Sequence, residues 1–445
     1  MTGYIIYKDK EYAFEYQKNI INIYAKNITE IYDNFQEQFD NNEKESIYVL
    51  NGYVYPNLNM VEFVFISGIT NILGEHKVDM KIEYRDINKK EFNQIKFISN
   101  VIDAIYGIDH YVNKRKKETN GKQTIVLKSY KGSDSKTYKF KFNQMDTKLQ
   151  FQTKRIWSRN TNAMLSRTTY LDCKFSSDIN YKNLYEFINV IYNFLSFIIY
   201  SKNVKFKSIL LYNSNEYIGN VECYRDSIQE EVKIEDIKRY LKIEYIEKYI
   251  GKLLNKIANN EIYLRNLPYN FRYLDGKEIL MTTAGFEYVF KKVYKEIKHR
   301  DKTIKMRNDL KTRLEEIKEN ITVTREKNMI DYMIKNYLDD DDIKAKIIEV
   351  NKKMYKIPEK IVRELLKINN RTDKFNNVCE QVRVIRNKYA HGDLNVEMKN
   401  KNRNAIIGVI MLERIIYLMQ LKEIGIEDEK IYNEVLNDIF CMRID

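Results

Sequence analysis

Near the C-terminus, Arg386-Asn387-Lys388-Tyr389-Ala390-His391-Gly392 crowds a strong cation, an amide and a histidine into one short stretch. A histidine titrating near neutrality can move a proton to or from a ribose 2′-hydroxyl or a leaving 5′-oxygen. A guanidinium can hold a phosphate through two parallel hydrogen bonds and oppose the extra negative charge of a pentacoordinate transition state. Neither role requires a metal. The pattern is short, so a plainer reading stands beside it: Arg386 forms a surface ion pair, and His391 caps its helix C-terminus, where the dipole favours a partly protonated imidazole.

These side chains need a helix to position them. Phe375, Val378, Val382, Ile385 and Tyr389 recur at spacings of three and four and form one apolar stripe of helical period. Thr372 and Asp373 offer N-cap oxygens ahead of the stripe, and Gly392 stands where a helix commonly ends in a left-handed turn. The predicted helix therefore runs from Asp373 to Ala390. At about 100° per residue, Asn387 and His391 project together away from the stripe, while Arg386 sits at its border. Arg383, one turn before Asn387, shares that face, and Lys388 is adjacent; both suit phosphate contacts.

Arg386-Asn387-x-x-x-His391, on the penultimate long helix of a helical C-terminal region, resembles the Arg-x(4–6)-His signature of the HEPN superfamily. The layout resembles that of the ApeA-like bacterial anti-phage defence proteins, in which a β-rich half precedes a HEPN domain. The likeness spans about residues 235–445, and over 1–225 it rests on the order of elements. It implies a metal-independent endoribonuclease that leaves a 2′,3′-cyclic phosphate and cuts RNA, such as tRNA, in defence or abortive infection. It further implies catalytic Arg386 and His391, with Asn387 orienting them. Glu287 falls in a helix where family members often keep an acidic residue, so it either orients Arg386 or is a plain exposed glutamate. HEPN nucleases usually face two such motifs across one centre. This chain has one motif, which implies a homodimer with a composite active site. Asp393 stands where HEPN toxins modified by a nucleotidyltransferase carry tyrosine, which argues against that branch. Two other readings remain open: a non-catalytic HEPN module that holds RNA or a protein, and a compact RNA-guided CRISPR-type ribonuclease, disfavoured by the single motif.

Composition sets wider bounds. The chain has 445 residues, a formal charge of +13 and a pI near 9.1. That balance suits a polyanionic partner, and the same richness in Ile, Asn, Lys and Tyr is also the usage of an AT-rich genome. Apolar content of 44% excludes a wholly disordered chain. Cys173, Cys223, Cys379 and Cys441 lie far apart with no Cys-x-x-Cys pair, and His76, His110 and His299 do not fall at metal-ligand spacings, so no metal and no cofactor is predicted. The run Asp339-Asp340-Asp341-Asp342 reads as a cap or solvated turn ahead of a helix. No Walker loop or Gly-x-Gly-x-x-Gly occurs. The N-terminus lacks a signal-peptide run, and the apolar stretches Phe187 to Tyr200 and Ala405 to Leu421 are interrupted by polar residues, so they read as buried helices rather than membrane spans. A cytoplasmic location is predicted.

The expected fold class is α+β. Residues 1–230 read as a β-rich sensor or regulatory domain, a sandwich or open barrel with packed helices, and a phage-encoded trigger protein is its candidate partner. Its strands are expected at Ser46–Tyr55, Val61–Ser67, Val78–Tyr84, Thr124–Ser129, Thr137–Phe142, Leu149–Lys154, Leu165–Phe175, Val204–Tyr212 and Tyr217–Tyr224. Helices are expected at Glu91–Tyr106 and Asn183–Tyr200, a hairpin turn at Gly132-Ser133-Asp134, and a basic loop with one aromatic at Lys154 to Asn160. The texture turns charged and helical near 225–235. From there residues 231–445 read as an all-α bundle: helices over Ile234–Ala258, Gly276–Lys298, Asp301–Glu319, Glu326–Tyr337, Asp341–Val350, Pro358–Ile368, Asp373–Ala390, Arg403–Leu421 and Asp428–Phe440. Ala405 to Leu421 is apolar nearly all round, which predicts the central helix.

Overall fold

A computed structural model of the chain describes residues 1–7, 9–25, 47–66, 73–85, 90–106, 111–117, 123–129, 136–157, 165–224, 233, 237–265, 267–268, 275–295, 297, 301–334, 342–368, 372–390 and 403–444. The fold is α+β, as the patterning predicts: antiparallel strands in the first half and helices in the second. The chain divides into two compact units, Met1–Glu261 and Ile262–Asp445.

The strands are β1 (Thr2–Tyr7), β2 (Lys10–Gln17), β3 (Ile20–Tyr24), β4 (Tyr48–Val54), β5 (Asn59–Phe65), β6 (Gly74–Lys77), β7 (Met80–Tyr84), β8 (Gln94–Ile98), β9 (Tyr111–Lys117), β10 (Gln123–Ser129), β11 (Thr137–Phe142), β12 (Met145–Trp157), β13 (Leu165–Phe175), β14 (Ser208–Asn213) and β15 (Glu216–Cys223). Among the described residues, thirteen of them hydrogen-bond into one antiparallel sheet in the order β11-β12-β13-β8-β14-β15-β7-β5-β4-β1-β2-β3-β6, and β9 and β10 form a separate pair. Strict alternation supplies the faces. Tyr12, Phe14 and Tyr16 of β2 join Ile21 and Ile23 of β3 and Val61, Phe63 and Phe65 of β5 in one apolar cluster. The opposite side of β5 is covered too. Its Glu62 carboxylate is buried, accepts the Tyr84 and Tyr181 hydroxyls at 2.7 and 2.6 Å, and takes Lys90 Nζ at 2.8 Å. Buried charge is tolerated there because each oxygen has a donor.

Two helices interrupt the strands, α1 (Asn100–Tyr106) and α2 (Tyr181–Ile199). The predicted helix over Glu91–Tyr106 is a correction: its first part is β8, laddered between β13 and β14, and helix starts only at Asn100. Ile95 and Phe97 are buried about a half-exposed Lys96, a two-residue period that a helical reading overlooks. The basic loop is corrected in part as well. Lys154 to Trp157 continue β12, with Trp157 opposite Leu165, while Ser158 to Asn160 and the Gly132–Asp134 turn lie outside the described residues.

The division at Glu261 falls later than the change of texture near 230. Residues 237–242 are irregular, and helix begins with α3 (Ile243–Ile246), a 3₁₀ turn and α4 (Ile250–Ala258). These pack onto the sheet. Leu241 N–H donates to Ile198 O at 2.8 Å, Asn255 Oδ1 accepts Lys141 N–H at 2.7 Å, and a β-carbon at Gly251 would stand 2.5 Å from Lys139 O, so only glycine lets α4 approach β11 this closely.

The second unit contains α5 (Gly276–Tyr294), α6 (Asp301–Asn320), α7 (Thr324–Met333), α8 (Ile343–Lys353), α9 (Ile357–Ile368), α10 (Phe375–Ala390), α11 (Arg403–Ile424) and α12 (Glu429–Phe440). Asp275 and Asp342 cap α5 and α8 through side-chain bonds to Glu278 N and Ala345 N, both 2.8 Å. The capping role predicted for the acidic run thus holds at Asp342; Asp339 to Asp341 lie outside the described residues. α11 is the central helix. It alone among the described helices has the length and hydropathy to cross a membrane, and most of its apolar stretch is buried in the protein.

Candidate active site at the end of α10

The stripe on α10 buries Val378, Cys379, Val382, Ile385 and Tyr389, with Phe375 half-buried. Ile385 and Tyr389 pack with Ile279 of α5 and Ala405 and Val409 of α11. Two glycines make the fit possible. A β-carbon at Gly276 would stand 2.7 Å from the Tyr389 ring, and one at Gly408 would stand 2.1 Å from Val382 Cγ2. The C-terminal turn of α10 is therefore clamped on its apolar side by α5 and α11, and its polar side faces outward.

On that polar side Arg386 Nη2 lies 3.4 Å from Glu287 Oε2, and its Nη1 donates to Asn387 Oδ1 at 3.3 Å. Both bonds are long. They use two of the five N–H donors of a guanidinium. The arginine is 37% exposed and Glu287 24%, so the pair opens to solvent. Of the two roles open to Glu287, the contact with Arg386 is the one its position supplies. Asn387, expected to orient the histidine, turns its oxygen to Arg386. His391, with Gly392 and Asp393, lies outside the described residues.

Glu287 serves a second cation. Its Oε1 is 3.8 Å from Lys346 Nζ, whose side chain is only 4% exposed. Sequence reasoning missed this lysine. A signal was present, because Lys346 lies within the apolar stripe of Ile343, Ile347 and Val350 on α8, where an ammonium needs a partner.

Arg383 is already engaged. Its Nε donates to Glu380 Oε1 at 3.1 Å, its Nη2 contacts the same oxygen, and Asp342 Oδ2 is 3.9 Å away. Lys344 Nζ reaches the other Glu380 oxygen at 2.8 Å. Hydrogen bonds from Arg383 and Lys344 hold the Glu380 carboxyl down at about 2, so it is ionised at neutral pH and keeps both cations. A phosphate reaching Arg383 must exchange with that carboxylate. Lys388 is exposed on the last turn.

No family model, curated protein or solved structure matches this chain. The chemistry of the site is therefore read from its residues. Cys379 offers no nucleophile, since burial pushes its thiol up to about 12. What the helix end presents is cationic and hydrogen-bonding: Arg386 on a shared carboxylate, an amide beside it, and Lys388 on the exposed last turn.

Proposed function

We propose that the chain is a metal-independent endoribonuclease of the HEPN type that acts on RNA in the cytoplasm. The observation that supports this reading is Arg386: a half-exposed guanidinium on the last turn of a clamped helix, steadied by Glu287 and Asn387 through long bonds that a phosphate oxyanion can outcompete. His391 follows the helix directly in sequence. In the proposed reaction the imidazole takes the 2′-hydroxyl proton, the 2′-oxygen attacks phosphorus as the bond to the 5′-oxygen breaks, and the imidazolium so formed gives its proton to the leaving 5′-oxygen, leaving a 2′,3′-cyclic phosphate. Arg386 opposes the charge of the phosphorane. Asn387 and Glu287 keep the guanidinium in place, and Lys388 and an exchanged Arg383 hold flanking phosphates.

Substrate class and setting rest on the resemblance: tRNA or other cellular RNA, cut in anti-phage defence or abortive infection by a homodimer whose two helix ends meet, with the β-rich unit sensing a phage-encoded trigger. The test is incubation of purified protein with RNA in EDTA. We expect cleavage with cyclic-phosphate ends, lost by at least about a hundredfold in Arg386→Ala and in His391→Ala. Unchanged cleavage in either variant discards the site; RNA retention without cleavage in the wild type favours the binding-module reading.

A further inference from the structure

The helices of the second unit mostly hide their apolar side chains, but α6 and α7 do not. On α6, Met306, Leu310 and Ile317 are 65%, 46% and 52% exposed. With half-buried Leu314 and with Ile321 just past the helix, they follow at spacings of four, four, three and four, which is one stripe along the element. On α7, Met329, Tyr332 and Met333 are exposed at helical spacing, and Val323 joins them from the turn, while Ile330 and Ile334 are buried. Lys318 Nζ lies 2.5 Å from Asp331 Oδ1, tying the helices side by side as a hairpin. Among the described elements, the extensive contact of α6 is with α7.

Such a hairpin needs a cover. A helix as short as α7, ten residues, does not hold in water on propensity alone, and apolar patches above a few hundred Å² mark interaction sites. We propose that the cover is the same hairpin of a second copy of this chain, the two closing as an intermolecular four-helix bundle about a two-fold axis. Four observations favour that occupant.

The stripe is self-complementary. Pairing two α6 helices antiparallel sets Leu310 against Leu314 of the second copy and Met306 against Ile317. The same register brings charge into line. Asp309 and Arg313 lie on one flank of the stripe, and the two-fold axis places Arg313 of each copy within reach of Asp309 of the other. Area agrees as well, because each hairpin presents on the order of 700 Å² of exposed apolar residue, close to the ~800 Å² that each partner gives to a stable interface. The make-up of the stripe, Met, Leu and Ile, suits another apolar helix rather than a phosphate backbone.

The inference goes beyond the ribonuclease reading and does not rest on it, since association is measured without RNA. Sedimentation of the full-length protein from about 0.5 to about 50 μM reads it directly, with far-ultraviolet circular dichroism as the check on folding. We expect a dimer, and at least a ~100-fold weaker one in the double variant Leu310→Lys, Ile317→Lys. Asp309→Arg alone and Arg313→Asp alone each set like charges together and weaken the dimer about tenfold. An equimolar mixture of those two variants restores it, because each changed residue then faces its opposite charge. Misfolding cannot produce that rescue. A wild type that stays monomeric throughout the range overturns the proposal, as does a dimer indifferent to the Leu310/Ile317 pair of changes.

Discussion

Arg386 and Lys346 share one carboxylate, and that sharing decides how firmly Glu287 can hold the guanidinium. Lys346→Met removes one claimant. Glu287 then closes on Arg386, which becomes harder for a phosphate to draw off, so the expected result is a kcat lower by about tenfold with RNA affinity little changed. Thermal stability should change little, since the substitution removes a buried ammonium while the Glu287 carboxylate is partly exposed and keeps Arg386, so no unpaired buried charge is left behind. Full activity with a lowered Tm would make Lys346 a packing residue only. Glu380 gives a pH prediction. Its folded pKa, about 2, lies below the ordinary carboxylate value of 4.5, so its contribution is complete above that value and disappears as pH falls from 4.5 toward 2. Glu380→Gln should therefore flatten acid destabilisation in that window, as read by urea midpoints against pH. At neutral pH the same change removes the charge that holds Arg383 most closely, leaving Asp342 nearby, and on the proposed function RNA binding should tighten by a few-fold. The sequence made Arg386 and Asn387 legible because neighbours on one helix share a face by arithmetic. The same arithmetic puts Glu380 one turn before Arg383, a pairing the sequence reading passed over. It could not show that Asp342 and Lys344 join that pair, or that Lys346 reaches Glu287, because those meetings depend on how α8 lies along α10 and α5.

At the scale of elements, the position of α10 depends on Gly408. With Val382 Cγ2 only 2.1 Å from where a β-carbon would sit, Gly408→Val must push α10 away from α11 or force a rotamer out of its well. Overpacking of this kind costs about 1–3 kcal/mol, which in a unit of this size lowers Tm by roughly 2–4 °C per kcal/mol. Because Arg386 rides on α10, cleavage should fall together with Tm; a calorimetric Tm equal to wild type would mean that the two helices are less tightly clamped than the structure has them. The helices that were legible in the sequence are those with a clean three-and-four stripe, such as α5, α9, α10 and α12, and the apolar α11. Where the sequence misled, the pattern was locally ambiguous. Gln94 to Ile98 is too short for its two-residue period to compete with the helical run after it, and only pairing with β13 and β14 makes it a strand. The division at Glu261 comes after the change of texture for a physical reason: α4 is helical in period, yet its apolar side is spent on α2 and β11.

Across the whole molecule, 76 lysines and arginines stand against 63 acids. Two explanations of that excess give different measurements. If it arises only from codon usage, the cations are scattered and mostly paired locally, as Lys344, Arg383, Lys346 and Lys360 are. If it serves RNA, binding must release counterions from the phosphates that are neutralised. For a single strand, log K falls against log salt with a slope of about −0.7 for each phosphate contacted. The full-length Arg386→Ala protein, binding without cutting, is the material for the measurement, by fluorescence anisotropy of a labelled single-stranded RNA from about 50 to about 200 mM salt. Contact with four or more phosphates predicts a slope of about −3 or steeper, which is a loss of affinity on the order of fiftyfold or more across that range. A shallow slope, near −1, would leave a single phosphate at the helix end and reduce the remaining charge to composition. The steeper value is the expected one, because a helix end with Lys388 exposed and Arg383 exchangeable reaches beyond one phosphate, and in the proposed dimer a second copy would double the number of cations along the strand.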